Sequence, residues 1–235
     1  MLTDGDNTTP ARVIPVLTID GPGGAGKGTV GQRVALELGW HFLDSGALYR
    51  VLAVASQRAG IGSAAEARLA ELARDISIEC IPHPSGEARI LLNGSDVGTE
   101  LRGEETGNRA STLAALPAVR RALLEAQRRF RRPPGLVADG RDMGTVVFPD
   151  ATVKLFLTAN AGVRAQRRYK QLKEKGFDVN LNDLLETIVA RDKRDRERAT
   201  APLVPAADAR LVDSSAMSID EVVGTILELV RSTES

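Results

Sequence analysis

Short apolar runs alternate with longer stretches of helical periodicity along most of the chain. Val13 to Asp20 is rich in Val, Ile and Leu and apolar on both faces, which predicts a buried parallel strand. A glycine-rich turn follows. Val30, Val34, Ala35 and Leu38 then recur at helical spacing and stop at Gly39. Trp40–Asp44 predicts a second strand, and the residues up to Gly60 a second helix. Strand, loop, helix, strand, helix is the opening of a doubly wound sheet.

The pattern changes near residue 62. A short helix is predicted over about 64–73, then strands at Asp75–Cys80 and Glu87–Leu92, separated by Pro82-His83-Pro84-Ser85-Gly86. Asn93-Gly94 marks another turn. This reads as a small antiparallel insert on one side of the core. Helices resume near Glu104, and Pro117 suits the first turn of a helix reaching about Phe130. Leu136–Asp139 and Thr152–Leu157 predict strands, 161–175 and 181–199 arginine-rich helices, and Ala209–Asp213 a last strand. Ser218 and Glu221 form a capping box before a final helix.

Composition narrows the class. Of 235 residues, 43% are hydrophobic and 26% charged, an ordinary globular balance with room for one sizeable α/β core. The formal net charge is zero, which argues against a nucleic-acid binder. Cys80 is the single cysteine, and His41 and His83 are the two histidines, too few for a Cys/His zinc site. Residues 1–12 are polar and acidic, read as a flexible leader without signal-peptide character. No apolar run approaches the ~20 residues of a membrane span. The expectation is a cytoplasmic protein. Arginine outnumbers lysine 25 to 6. Codon bias explains such a ratio, so only the positions of the arginines carry information.

The strongest local signal is Gly21-Pro22-Gly23-Gly24-Ala25-Gly26-Lys27-Gly28-Thr29, between a strand and a helix. Its backbone N–H groups can curl around phosphate oxygens, the helix N-terminus adds partial positive charge, and Lys27 can reach β- and γ-phosphates. The usual motif has Ser or Thr directly after the lysine to bind Mg²⁺. Here Gly28 stands there and Thr29 comes one later, which leaves open whether Thr29 reaches the metal. Asp139, ending a predicted buried strand, is the second acidic position and can hold Mg²⁺ through water.

A second ligand region is suggested by Asp44–Arg50, at a strand end beside the phosphate loop, where Arg50 can pair a phosphate. Arg141 and Asp142 in Gly140–Gly144 supply donors and an acceptor together. Such a set matches cytosine, whose N4 amine donates where uracil presents a carbonyl. Arg191, Asp195 and Arg198 are spaced i, i+4, i+7 on one helix face, in a stretch that by itself reads as an exposed face laced with ion pairs.

Five blocks in order, Thr18–Thr29, Leu43–Arg50, Gly140–Pro149, Arg191–Ala199 and Pro202–Ala206, resemble the bacterial cytidylate kinases, with likeness from about Val13 to Arg231. The resemblance implies a P-loop nucleoside monophosphate kinase: a doubly wound parallel five-stranded sheet with a small antiparallel acceptor-binding insert and a short helical lid. The core is expected at 13–61, 113–161 and 181–235, the insert at 62–112 and the lid at 162–180. It implies ATP with Mg²⁺ as donor and CMP, with dCMP, as acceptor. It implies that Ser111, Arg120, Asp142 and Arg198 read cytosine, that Ser45, Arg191 and Asp195 lie near the ribose, and that Arg50 and Arg141 meet the CMP phosphate. Arg164, Arg167 and Arg168 are then lid arginines on the transferring phosphate, and the enzyme a monomer. Gly23 departs from the serine that family members often carry, so a backbone N–H serves there. The rivals are another P-loop small-molecule kinase and a nucleotide-dependent binding switch. The chain lacks an Asn-Lys-x-Asp guanine-reading motif.

Overall fold

In the computed structural model the described residues are 13–81, 89–174 and 176–233, without the side chains of residues 102 and 104. The leader, the 82–88 segment and its turn residues lie outside them.

Five parallel strands form the main sheet: β1 (Val16–Asp20), β2 (His41–Asp44), β6 (Leu136–Gly140), β7 (Val153–Thr158) and β8 (Arg210–Asp213), in the order β2-β6-β1-β7-β8. β1 and β6 are buried at every position, which explains why apolar residues fall on both faces of each, with the polar Asp20 and Asp139 at their carboxyl ends. On one face, α1 (Lys27–Leu38) and α8 (Ile219–Thr233) pack Val30, Val34, Val223, Ile226 and Val230 on Leu17, Ile19 and Leu155. On the other, α2 (Ser45–Arg58) lays Leu48 beside Leu43, Leu136, Met143 and Phe148. Gly39 caps α1 in the left-handed region at φ 65°. The capping box of α8 forms as expected, with Ser218 Oγ accepting from the Glu221 N–H and Glu221 accepting from the Ser218 N–H.

The insert contains α3 (Glu66–Asp75), the antiparallel strands β3 (Ile78–Ile81), β4 (Arg89–Leu92) and β5 (Ser95–Asp96), a 3₁₀ turn at Glu100–Arg102, and α4 (Glu104–Leu113). β5 is an extra strand beyond the two expected. Asn93 and Gly94 both have positive φ, the requirement of the tight hairpin that joins β4 to β5. The insert is fused to the core through α2 and α5 (Pro117–Arg128). Leu52, Leu69, Leu113, Val119 and Leu123 form one cluster, and Val51 and Ala55 meet Ile90, Leu92 and Val97 in another. Cys80 packs between these elements, and burial pushes its thiol up to about 12.

α6 (Ala161–Glu174) and α7 (Leu181–Glu197) form a helical hairpin after β7. α7 ends at Glu197, and Arg198 caps it: its N–H still donates to the Arg194 carbonyl, while its ψ of 136° turns the chain that follows off the helix. As the capping residue, Arg198 extends by one position the α7 row that carries Arg191 and Asp195. No helix among the described residues is long and apolar enough to cross a membrane.

Candidate active site

The carboxyl ends of β1, β2 and β6 meet where parallel pairing sets Asp44 beside Asp139 and Asp20 beside Gly140. A cavity of about 800 Å³ opens there, walled by the phosphate loop, Asp44, Arg50, Asp139, Arg141 and Arg191, with Arg164, Arg167 and Arg168 of α6 opposite. This is the crevice outside the strand ends where doubly wound sheets bind ligands.

The phosphate loop takes its shape from glycine. Gly21 has φ +149° and lies so close to β7 that an added Cβ would stand 1.9 Å from the Leu157 carbonyl oxygen. Gly24 and Gly26 also have positive φ, at 78° and 93°. Lys27 opens α1, is 5% exposed, donates to the Pro22 carbonyl at 3.1 Å and lies 3.6 Å from Asp139. Its ammonium keeps donors for a further acceptor. Burial, and then Arg141, push this ammonium well below its usual range, against Asp139 and Asp44. Burial likewise pushes the Asp139 carboxyl up, against Lys27. Asp139 Oδ2 lies 3.4 Å from where a Cβ on Gly28 would stand, so the bare glycine leaves the carboxylate accessible. Thr29 also lines the cavity. These two oxygen donors fit a hard cation that keeps waters and takes its remaining ligands from phosphates.

Arginines converge on the adjoining wall. Arg141 Nε donates to Asp195 at 2.9 Å. Burial lowers its pKa, but Asp195 and Asp139 more than offset this and hold it charged. Arg191 is pushed down to about 10, first by burial and then by Arg141. Its Nε is buried with no hydrogen-bond partner among the described residues. A Cβ on Gly23 would meet Arg141 at 3.4 Å and Arg191 at 3.8 Å, so the loop touches this cluster directly. Arg50 Nη1 donates to the Leu101 carbonyl at 2.5 Å, joining α2 to the insert. Cations held this close before a ligand arrives favour a polyanion.

Behind them lies a buried polar group. Arg120 donates to Asp142 and, at 3.1 Å, to the Ala114 carbonyl, while Arg198 Nη2 is 3.7 Å from the other Asp142 oxygen. Burial and then Arg120 lower the Arg198 pKa, with Asp142 opposing. Tyr49 packs beside the set, and burial raises its phenol to about 12, so it stays protonated. Ser45 is 5% exposed at the start of α2, its Oγ 2.7 Å from where a Cβ on Gly140 would stand. Ser111 lies half-buried on α4.

The three α6 arginines differ in engagement. Arg164 is 3% exposed, donates to the carbonyls of Gly23 and Ala159, and forms a two-pronged pair with Asp192. Arg167 donates to the carbonyl and hydroxyl oxygens of Ser214, and Arg168 lines the cavity.

Four groups of this site had no individual role assigned from the sequence. Asp20 accepts from the N–H groups of Met143 and Gly144, both at 2.8 Å, and so anchors a π-helical turn at Met143–Val147 beside Arg141 and Asp142. Burial pushes its carboxyl up to about 6 despite those two bonds. Asp44 caps α2 and lines the cavity. Asp192 and Ser214 hold α6. The strand-end placement of Asp20 and Asp44 was a usable signal; Asp192 and Ser214 had none.

The family model described as cytidylate kinase matches residues 17–232. A cytidylate kinase of Methylococcus capsulatus is 61% identical over 93% of this chain and 98% of its own length. One from Aeromonas hydrophila is 57% identical over 92% and 94%, and one from Bordetella bronchiseptica 54% over 94% and 97%. With the phosphate loop and the arginine wall at one crevice and the Asp142 cluster buried behind them, these matches establish that the chain belongs to the cytidylate kinase family.

Proposed function

We infer that the chain transfers the γ-phosphoryl group of ATP to CMP and to dCMP, giving ADP and CDP or dCDP by direct in-line attack of the acceptor phosphate oxygen. The observation that carries this reading is the buried Arg120–Asp142–Arg198 cluster beside an arginine-walled phosphate loop. The Asp142 carboxyl oxygens accept from the cytosine N4 amine, and the arginines donate to N3 and O2. Uracil would set a carbonyl against that carboxylate, a buried mismatch that costs affinity. Membership in the cytidylate kinase family supports the same acceptor.

Within this reading Ser111 completes the base contacts, Ser45, Arg191 and Asp195 hold the ribose, and Arg50 and Arg141 hold the acceptor phosphate. The loop residues and Lys27 bind the donor phosphates, and Arg167 and Arg168 neutralise the group in transfer. Phosphoryl transfer needs mostly alignment and charge neutralisation, and the acceptor phosphate is already ionised, so no protein base is required. Asp139 and Thr29 would hold Mg²⁺, which would supply charge neutralisation for the donor phosphates. Segments 62–112 and 162–180 act as acceptor-side insert and lid, closing to exclude water. Zero net charge supports a small-molecule rather than a nucleic-acid substrate, and the single cysteine, which allows no intrachain disulfide, supports a reducing cytoplasmic setting; the enzyme is read as a monomer. Acceptor-dependent ADP release across CMP, dCMP, UMP and AMP tests the assignment, and the elution volume on gel filtration tests the monomer.

A further inference from the structure

Three carbonyl oxygens of the phosphate loop accept side-chain hydrogen bonds. Pro22 accepts from Lys27 at 3.1 Å, Gly23 from Arg164 Nη1 at 2.8 Å, and Ala25 from Ser214 Oγ at 3.4 Å. The middle bond comes from the most committed arginine of the site. Arg164 Nε donates to Ala159 at 2.9 Å, and its terminal nitrogens reach both Asp192 oxygens at 3.1 and 2.5 Å. Four of its five N–H donors are thus engaged, and both members of the pair are at most 4% exposed.

We propose that Arg164 is a positioning residue for the phosphate loop rather than a ligand of the transferring phosphate, and that Asp192 holds it in that role. A trans peptide is planar, so its C=O and N–H point in opposite directions. Fixing the Gly23 carbonyl on Arg164 therefore fixes the Gly24 N–H pointing away from it, as a donor for phosphate. The constraint matters because Gly24, at φ +78°, belongs to a backbone that glycine leaves free to turn. The Arg164 stem also packs here, its Cβ 3.4 Å from where a Gly24 Cβ would stand. A planar fork serves Ala159, Gly23 and Asp192 at once, whereas an ammonium is a point donor that does not match all three directions. Asp192 compensates the buried charge and ties the loop to α7, so donor-phosphate binding and the α6–α7 hairpin share one hydrogen-bonded unit.

The proposal rests on the reading that this loop holds ATP. The test is calorimetric titration of Mg·ATP, with no acceptor present, into the wild-type chain and the R164K and D192N variants, beside CMP titrations, kcat and thermal melts. The expected result is a rise of about tenfold in the ATP Kd in both variants, the loss of one charge-assisted bond, with CMP affinity within about twofold and a KM effect on ATP larger than the kcat effect. R164K keeps a charge opposite Asp192 and is expected to fold even where D192N does not. An unchanged ATP Kd with a lowered melting midpoint would reduce the pair to a structural clamp and overturn the proposal. An unchanged ATP Kd with kcat lowered about a thousandfold would also overturn it, by making Arg164 a direct transition-state contact. Because ATP is titrated alone, either result stands whichever acceptor the enzyme phosphorylates.

Discussion

Arg120 on α5 and Asp142 after β6 are joined by a buried ion pair whose side chains are 9% and 7% exposed. Neither has water to fall back on, and Arg198 approaches the same carboxylate at 3.7 Å. Removing the carboxylate alone leaves two buried guanidinium groups uncompensated, which costs about 3–5 kcal/mol. Asp142→Ala is expected to lose that much stability in denaturant titration. It is also expected to raise the CMP KM about a hundredfold while the ATP Kd stays within about twofold. Equal loss of both affinities would remove the base-reading role.

Asp142→Asn separates charge from shape. The amide keeps one acceptor and adds a donor suited to the uracil carbonyl. The ratio of kcat/KM for CMP over UMP is expected to fall by about tenfold or more, one hydrogen-bond mismatch exchanged for another. Parallel assays of both acceptors measure it, and an unchanged ratio would place base selection elsewhere.

Lys27→Ala is expected to lower kcat by about a thousandfold or more, since the ammonium can follow charge onto the transferring group. Far-UV circular dichroism is expected to match wild type, because the side chain caps no helix and its partners Pro22 and Asp139 sit in backbone-supported positions. Turnover near the wild-type rate would remove the phosphate-loop assignment.

Gly21 and Gly26 both have positive φ, but only Gly21 lacks space. Gly26→Ala is expected to cost about 1–2 kcal/mol, the penalty of a left-handed residue. Gly21→Ala must also push β7 away from a 1.9 Å overlap with Leu157. Its melting midpoint is therefore expected to drop well below that of Gly26→Ala; equal midpoints would contradict the close approach of loop and strand.

Asp20 makes stability depend on pH. Its folded pKa of about 6 exceeds the ordinary 3.8, so between these values the folded state binds more protons than the unfolded state. Stability from this group is then fully present below about pH 4 and is lost as pH rises through about 6, a change on the order of 3 kcal/mol. Desolvation drives the shift, with the Met143 and Gly144 N–H groups and Lys27 opposing it and Asp142 adding to it. The melting midpoint of wild type minus that of Asp20→Asn is expected to fall from pH 4 to pH 6. A flat difference would mean that the two N–H bonds offset the burial.

Elements with continuous apolar or strongly periodic stretches were readable from sequence: β1, α1, β6 and the capped start of α8 stand within a few residues of expectation. The phosphate loop was readable because glycine and lysine chemistry is local. What escaped depends on distant partners. Charges around Arg191 look like a solvated face, yet Asp192 and Asp195 are 4% and 8% exposed because α6 and Arg141 cover them. Arg164 reads as one more lid arginine, and only the fold shows it beneath the phosphate loop. Asp20 reads as the last residue of a strand, since its partners Met143 and Gly144 lie more than a hundred residues on. α7 ends at Glu197 rather than near residue 199, because the chain turns extended after the capping residue Arg198.

The most direct test of the central claim is initial-rate ADP release from Mg·ATP with CMP, dCMP, UMP, AMP or no acceptor. Strong stimulation by CMP and dCMP, weak stimulation by UMP, and background rates with AMP or no acceptor are expected. Slow ATP loss that is the same with every acceptor would contradict that claim, leaving a nucleotide-binding loop without the cytosine-directed transfer proposed for this site.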